Sequence, residues 1–452
     1  MLPQPGQPAP VYSLADCLQI ALDRNPSILK AQHDIERTQG LIITAKSTLY
    51  PQVSLNGRIE ERDDDLFSQG TDPTIQRFRD YWTIQLQVVQ SLYSGGINRQ
   101  QIAIAKLTHE AALIQLQATI DLTLNQVKHA AYALVIAQAQ IEAEKQTIQL
   151  LNQEVSRQKA LFDAGRTTRF NVLRTEVSLG NQQSSLNDSL NALTSAQLAL
   201  AQLLGIEWSR SASSSTPPFL VRQSLDCPPV TASRIDDLIA LALARRPELQ
   251  VIDRQVDIAT RQIKIDQAAL IPQLNAYAAD EQARDQTVAS FNNSLNDYAI
   301  GIYGTWNIFD GFASKGQAVT DTAVLSQTRI SREALCLQIE DEVREAYARL
   351  MTAQDTIQAQ TANVKTAEES VKLSQVSMET GYATLLDVLQ ATIDLTAARN
   401  QSIRARELYL DAAADLEKAV SLKFVDWPGA TAVSPITAAS APPAAPPTAL
   451  HP

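Results

Sequence analysis

The sequence predicts a mainly α-helical fold with a small β part: internally duplicated, long coiled-coil-like helices and four transmembrane β-strands. Three observations carry this. One unit of sequence occurs twice. Long proline-free stretches keep an apolar residue at every seventh place, which imposes side-by-side helix packing. Between helices, in each copy, two short segments alternate apolar and polar residues, the period of a strand with two unlike faces.

The duplication shows in four places. "LADCLQIALDRNP" (14–26) answers "IDDLIALALARRP" (235–247), and "LYPQ" (49–52) answers "LIPQ" (270–273), both 221 residues apart. "LYSGG" (92–96) answers "IFDGF" (308–312), and "GRTTRFNVLRTEVSL" (165–179) answers "GYATLLDVLQATIDL" (381–395), both 216 apart. The change of offset falls between them, where a loop can differ in length. The copies span 14–208 and 235–424, joined by a Ser/Pro-rich linker at 209–234. An Ala/Pro-rich tail at 425–452 has the composition of a disordered segment.

Each copy opens with a short helix stopped by proline at Pro26 or Pro247 and a second of about 22 residues. Pro51 and Pro272 end the second helix, because the prolyl ring disfavours helix in the residue before it. Alternation then begins. In the first copy, strands are expected at about 51–62 (Val53, Leu55, Ile59 on the apolar face) and 81–93 (Trp82, Ile84, Leu86, Val88). In the second they are expected at about 272–282, where "LNAYAAD" has little bulk, and 298–309 (Ile300, Ile302, Trp306, Ile308). Strands of this length cross a bilayer when tilted. Aromatics near their ends (Tyr50, Tyr81, Trp82, Tyr93, Tyr298, Phe309) suit an interfacial girdle. A small amphipathic sheet packed on helices is the other reading of the alternation.

Helix period then returns, in hairpins at 97–204 and 312–422. Leu113, Ile120, Val127, Leu134, Ile141, Ile148, Val155 and Phe162 form one seven-residue column; Cys336, Val343, Leu350, Ile357, Val364, Val371 and Met378 form its counterpart. Val172, Leu179, Leu186, Leu193 and Leu200 continue the spacing after the first turn. Ala130, Ala131, Ala133 and Ala137 allow close lateral packing. No proline interrupts 97–161, roughly 95 Å of helix. It is too polar for lipid and needs partners in water.

Composition excludes several functions. A net charge of −11 argues against nucleic acid. Cys17, Cys227 and Cys336 are scattered and odd in number, so no disulfide framework is expected. Cys17 lies near the start, but no apolar segment precedes it and a helical pattern runs straight through it, so it reads as a helix residue, not a lipid-bearing one. No leader segment is visible at the N-terminus, as in a mature form or a chain whose start is set short. The histidines (His33, His109, His129, His451) have no paired metal spacing, and His109 and His129 are expected on a helix surface or seam. The Asp63-Asp64-Asp65 run and the Asp341-Glu342 pair read as solvated surface. No phosphate loop or nucleophile elbow occurs. No catalytic, cofactor or metal site is expected.

Four strands cannot close a barrel, and an open sheet leaves edges that lipid cannot satisfy. Three chains pooling strands would make a 12-stranded β-barrel on a 12-helix α-barrel tunnel, a homotrimer with pseudo-sixfold symmetry.

In the order and spacing of its duplicated "A-L-x-x-x-P", "Y-P-Q"/"I-P-Q", "L-Y-S-G-G"/"I-F-D-G-F" and "G-x-x-T-x-x-[ND]-V-L" segments, about 14–424 resembles the TolC-like outer-membrane efflux proteins. The resemblance implies a trimeric exit duct in outer-membrane lipid, with a long periplasmic extension. Its partners would be a periplasmic adaptor (membrane fusion) protein and an inner-membrane transporter of RND or ABC type. A duct for type I protein secretion shares the architecture, and a soluble coiled-coil scaffold would explain the heptads alone.

The duplicated turns then lie at the far end of the tunnel. Gly165 and Gly381 suit helix stops. Thr168 and Thr384 suit N-caps, with Asn171 and Asp387 three residues on. The resemblance implies that Gly165, Arg166, Thr168, Val172, Leu173, Gly381, Tyr382, Thr384, Val388 and Leu389 meet the adaptor. It also implies that acidic rings narrow the tunnel here: Asp387 matches that pattern, while Asn171 and Gln390 stand where further acids would be.

Overall fold

The computed structural model describes residues 11–61, 80–206, 219–222, 225, 227, 234–284 and 295–421. In chain order the elements are β1 (Val11–Tyr12), α1 (Leu14–Arg24), α2 (Pro26–Ser47), β2 (Gln52–Glu61), β3 (Asp80–Tyr93), α3 (Ile97–Asp163) and α4 (Arg169–Leu203). The second copy gives β4 (Leu220–Val221), α5 (Ile235–Arg245), α6 (Pro247–Ala268), β5 (Gln273–Arg284), β6 (Leu295–Thr305), α7 (Ala313–Glu379) and α8 (Leu385–Val420). The tail, the Asp63–Asp65 run and His451 lie outside the described residues.

Two compact units form, and neither coincides with a sequence copy. Among the described residues, one draws on 11–30, 118–246 and 337–421, the other on 31–117 and 247–336. Each therefore mixes both copies. The reason is visible in the sheet of the second unit: its order is β2-β3-β5-β6, all antiparallel, with one hairpin from each copy and the β3–β5 ladder joining them.

Register sorts this sheet into two faces, since residues directly opposite share a side. Val53, Val88, Ala278 and Ile300 form one row; Leu55, Leu86, Asp280 and Tyr298 the next. The opposite face carries Asn56, Gln85, Glu281 and Asp297, with Gln85 Nε2 donating to Glu281 Oε2 at 3.1 Å. The apolar face is bare: Leu55 is 69 % exposed, Ile59 87 % and Ile300 80 %. A sheet in water hides such a face, so the reading of a small sheet packed on helices does not hold. Asp280 departs from the apolar pattern of its row.

The last strand is corrected from 298–309 to Leu295–Thr305. Alternation continues to Ile308, but Thr305 already pairs with Gln273, the first residue of β5, so no strand remains to bond to. Trp306 Nε1 instead donates to the Leu270 carbonyl at 3.0 Å, and Asp310 accepts the Ser314 N–H at 2.8 Å to start α7. The low-bulk segment after Pro272 is a full strand of 12 residues, running beyond 282 to Arg284 and held from both sides by β3 and β6.

In the other unit, Cys17, Ala21, Val127, Ala131, Leu134, Leu200, Ala201 and Leu204 form a core closed by Phe219 and Val221. Cys17 is an interior residue, and burial pushes its thiol up to about 11. The linker expected at 209–234 contains a short strand. Within it, β4 pairs in parallel with β1, and Phe219 stacks 5.8 Å from Tyr12. Two-residue strands leave no periodic signal, which is why the sequence hid them.

α3 and α7 each run 67 residues, about 100 Å. Their seven-residue columns are buried in part. Val127, Leu134, Ile141 and Val155 are interior, as are Val343, Leu350 and Val371, while Leu113 and Phe162 at the ends of the first column are exposed. Cys336 is half-buried.

Candidate functional site

The two repeated turns have one backbone design. At the end of α3, Gly165 sits at φ 69°, with Gly165 N–H donating to the Phe162 carbonyl and Arg166 N–H to the Leu161 carbonyl. At the end of α7, Gly381 sits at φ 85°, with Gly381 N–H donating to Met378 and Tyr382 N–H to Ser377. Both are the paired-bond helix stop that needs a left-handed residue, which glycine adopts without strain. Leu151, Leu385 and Leu389 pack with Leu179 and Met378, and Arg157 Nη2 lies 3.5 Å from Glu379. The two turns therefore share one end of their unit.

Their helix starts differ. At α8, Thr384 N–H and hydroxyl both donate to Asp387 Oδ2 at 2.7 Å, while Asp387 N–H returns a bond to Thr384 Oγ1 at 3.4 Å. These bonds, the backbone one foremost, hold the Asp387 carboxyl below its ordinary value. At α4, Thr168 is the N-cap, as expected, with the extended backbone of one, but it makes no side-chain cap bond. Asn171 turns to Thr167 instead, donating from Nδ2 to Oγ1 at 3.0 Å. An amide that finds a side-chain partner one turn back does not complete the reciprocal box.

Of the expected contact residues, Gly165, Arg166, Thr168, Leu173, Gly381, Tyr382 and Thr384 are exposed, Tyr382 by 91 %. Val172, Val388 and Leu389 are buried within the chain. They fall on the inward stripe of each helix. Exposed apolar residues that the motif comparison missed are Phe170, 67 % exposed, and Leu386. Their signal was the helical spacing, which puts Phe170 and Leu386 next to, not on, the inward stripe.

Asp387 and Gln390 lie exposed on one face of α8, and Gln390 Nε2 donates to Asp394 Oδ1 at 2.9 Å. Asp394, also exposed, adds a carboxylate that the sequence reading missed, two turns from Asp387 on the same face. Farther along the same helices the contacts become polar and buried. Glu144 of α3 accepts from Ser185 Oγ at 3.0 Å, from Gln182 Nε2 and from Asn400 Nδ2 at 3.5 Å, and Thr147 bonds Thr396 at 2.8 Å.

His129 lies half-buried on the seam of two helices. Its ring bridges α3 to α8, Nδ1 2.6 Å from Asp411 Oδ1 and Nε2 2.8 Å from Asp415 Oδ1. The hydrogen bond to Asp411, then that to Asp415, raises its pKa to about 9 against the cost of burial. The imidazolium is thus the state at neutral pH. His109 lies in the other unit, its Nδ1 3.0 Å from Thr38 Oγ1. Among the described residues, no group of three or more His, Cys, Asp or Glu is arranged to hold a metal ion. No helix there is long and apolar enough to cross a membrane.

A family model, "Outer membrane efflux protein", matches residues 17–206 and 238–421. The chain is 24 % identical over 401 residues to the outer membrane efflux protein BepC of Brucella suis biovar 1, covering 88 % of this chain and 83 % of that protein. It is 22 % identical over 408 residues to the alkaline protease secretion protein AprF of Pseudomonas aeruginosa, covering 89 % and 83 %. The crystal structure of the outer membrane protein VceC of Vibrio cholerae superposes with a TM-score of 0.73 at 20 % identity, over 91 % of this chain and 96 % of that one.

Proposed function

Since this chain belongs to the outer membrane efflux protein family, whose members are outer-membrane channels and not enzymes, we propose that three copies form the exit duct of a tripartite efflux system. The observation that carries this is the four-stranded sheet with a bare apolar face and, among the described residues, no partner strand beyond β2 or β6. All its ladders are antiparallel, so β2 and β6 run in opposite directions. Setting β6 of one copy beside β2 of the next continues the alternation without a break. Three sheets close a 12-stranded barrel with the Asn56–Gln85–Glu281–Asp297 face turned to the bore.

The duct conducts passively. Cargo enters at the turn end from an inner-membrane transporter of RND or ABC type through a periplasmic adaptor docked on the turns. Asp387 and Asp394 repeated in three copies line the entrance and favour cations there. Opening is an iris-like shift of the helix pairs, which differential binding by adaptor and transporter drives. Likeness to AprF supports a second cargo class, secreted protein, for the same architecture.

Planar-bilayer recording of the purified protein tests the proposal. Discrete, cation-favouring conductance steps from a particle of three chains are expected. A chain that stays monomeric in detergent and leaves the bilayer silent would end it. Reconstitution with candidate transporters of each type separates efflux from secretion.

A further inference from the structure

Helices α6 and α7 run antiparallel and touch at two levels. At one, Arg332 Nε donates to Asp253 Oδ1 at 2.5 Å. At the other, near the end of α6 and the start of α7, two acids meet: Asp266 and Asp321. Asp266 is 7 % exposed and Asp321 half-buried. One oxygen of each, Oδ2, is buried and has no hydrogen-bond donor among the described residues. A glutamine one turn earlier on the same helix serves each acid. Gln317 Nε2 donates to Asp321 Oδ1 at 3.3 Å, and Gln262 donates to Asp266.

The cations around this pair are turned elsewhere. On α6, Arg254 lies 3.2 Å from Glu110 of α3, Arg261 donates to Gln100 of α3 at 3.1 Å, and Lys264 is exposed. On α7, Lys315 lies 6.0 Å from the Phe312 ring; on α3, Arg99 and Lys106 are exposed. Among the described residues no Lys, Arg or His pairs with either acid. The first copy shows that the fold does not ask for acids here. At the offsets of 221 and 216, Asp266 answers Ala45 of α2 and Asp321 answers Ala105 of α3. Those two helices, joined by Thr38 and His109 at 3.0 Å, carry small apolar side chains at these places.

Two ionised carboxylates in this place would repel each other, and each would keep a buried oxygen without a donor. One proton removes both penalties, because a protonated carboxyl donates to its neighbour and the pair then carries a single charge. We infer that Asp266 and Asp321 share one proton, and that this proton is a clasp between α6 and α7: bound, it holds the two helices together at the foot of the β5–β6 hairpin, and lost, it lets them part there. α6 leads into β5 and α7 follows β6, so the footing of that hairpin tracks acidity. Burial first, then the hydrogen bond and charge of Asp321, raise the Asp266 carboxyl above its ordinary range, with Gln262 opposing. A carboxyl raised by folding contributes stability that is complete below its unfolded value and lost as pH rises through the folded one. The clasp is therefore tight in acid and loosens as the medium turns alkaline.

Amide hydrogen exchange of the full chain in detergent, corrected for intrinsic rate, tests this between about pH 4 and about pH 9. Residues 262–268 and 317–323 report on the clasp, and residues 41–47 of the first copy serve as the internal control. Protection at the clasp should fall with rising pH, by up to about tenfold per pH unit, the slope of a single proton, while the control stays flat. Asp266→Asn keeps a donor facing Asp321 and should hold the acid-state protection at every pH. The pair Asp266→Ala with Asp321→Ala reproduces the first copy, so it should fold and give a flat profile. Native protection that does not change with pH, or a slope that survives in Asp266→Asn, overturns the inference. Protection recovered at high pH on adding calcium ions would place a metal cation where the proton is proposed, and overturns it as well.

Discussion

Replacing His129 by Gln removes the one imidazolium that joins α3 to α8, and its effect should depend on pH in a defined direction. The groups facing His129 are Asp411 and Asp415, at 2.6 and 2.8 Å. Around them lie Asn125, which donates to Asp415 at 3.1 Å, the Lys128–Glu417 pair, Arg349 4.0 Å from Asp415, Tyr132, and Glu407 with its neighbour Arg404. Folding raises the His129 pKa from 6.5 to about 9. A tenfold change in proton affinity is worth about 1.4 kcal/mol, which sets a ceiling of about 3 kcal/mol per chain. The three side chains are 31–33 % exposed, so solvent screening brings the expectation to about 2 kcal/mol. A raised pKa contributes stability that is complete below 6.5 and lost as pH rises through about 9. Asp415, held below its ordinary value by His129 and Asn125 against burial, adds a part lost only in acid. The assay is amide hydrogen exchange of residues 405–420 in the detergent-solubilised protein, corrected for intrinsic rate. In the native chain protection should fall about 30-fold as pH passes from near 6.5 to above 9. In the Gln variant it should be lower at the start and flat across that range. Equal pH profiles for the two proteins would refute the reasoning.

Three further outcomes follow from the same structure. Thr384→Ala should loosen the start of α8 by about 1 kcal/mol, read as faster exchange at 385–389, whereas Thr168→Ala should leave α4 nearly unchanged because it holds no cap bond. Gly205→Ala should destabilise the chain, because φ is +64° and the new methyl would stand 2.5 Å from the Arg24 carbonyl oxygen. The backbone alone costs about 1–2 kcal/mol before that clash, and thermal denaturation checks it. Asp387→Ala should change single-channel conductance and weaken block by multivalent cations; a pore indistinguishable from the native one would remove Asp387 from the entrance.

What the sequence made legible was whatever repeats. Heptad columns located the long helices, and alternation located β2, β3 and β6, because burial on one side leaves a period, whereas β5 had little bulk to show one. β6 was read too long, since Trp306 and Ile308 keep the alternation after the neighbouring strand has run out. β1 and β4 were invisible because two residues have no period. At the turns, the glycines were readable from backbone need alone. The fate of Thr168 was not: whether Asn171 bonds back to it or to Thr167 is a rotamer choice made in three dimensions. His129 looked like one more polar residue in a heptad, since its carboxylates lie more than 280 residues away in sequence.

The central claim is that one chain supplies a third of a closed barrel. Cysteine pairs are introduced along β2 (residues 53–59) and β6 (residues 298–302) after Cys17, Cys227 and Cys336 are changed to Ser, and the protein is oxidised in the membrane. The account predicts cross-links between β2 of one chain and β6 of another, a ladder that stops at three chains. Cross-links within one chain only, or a ladder that continues past three, would contradict it.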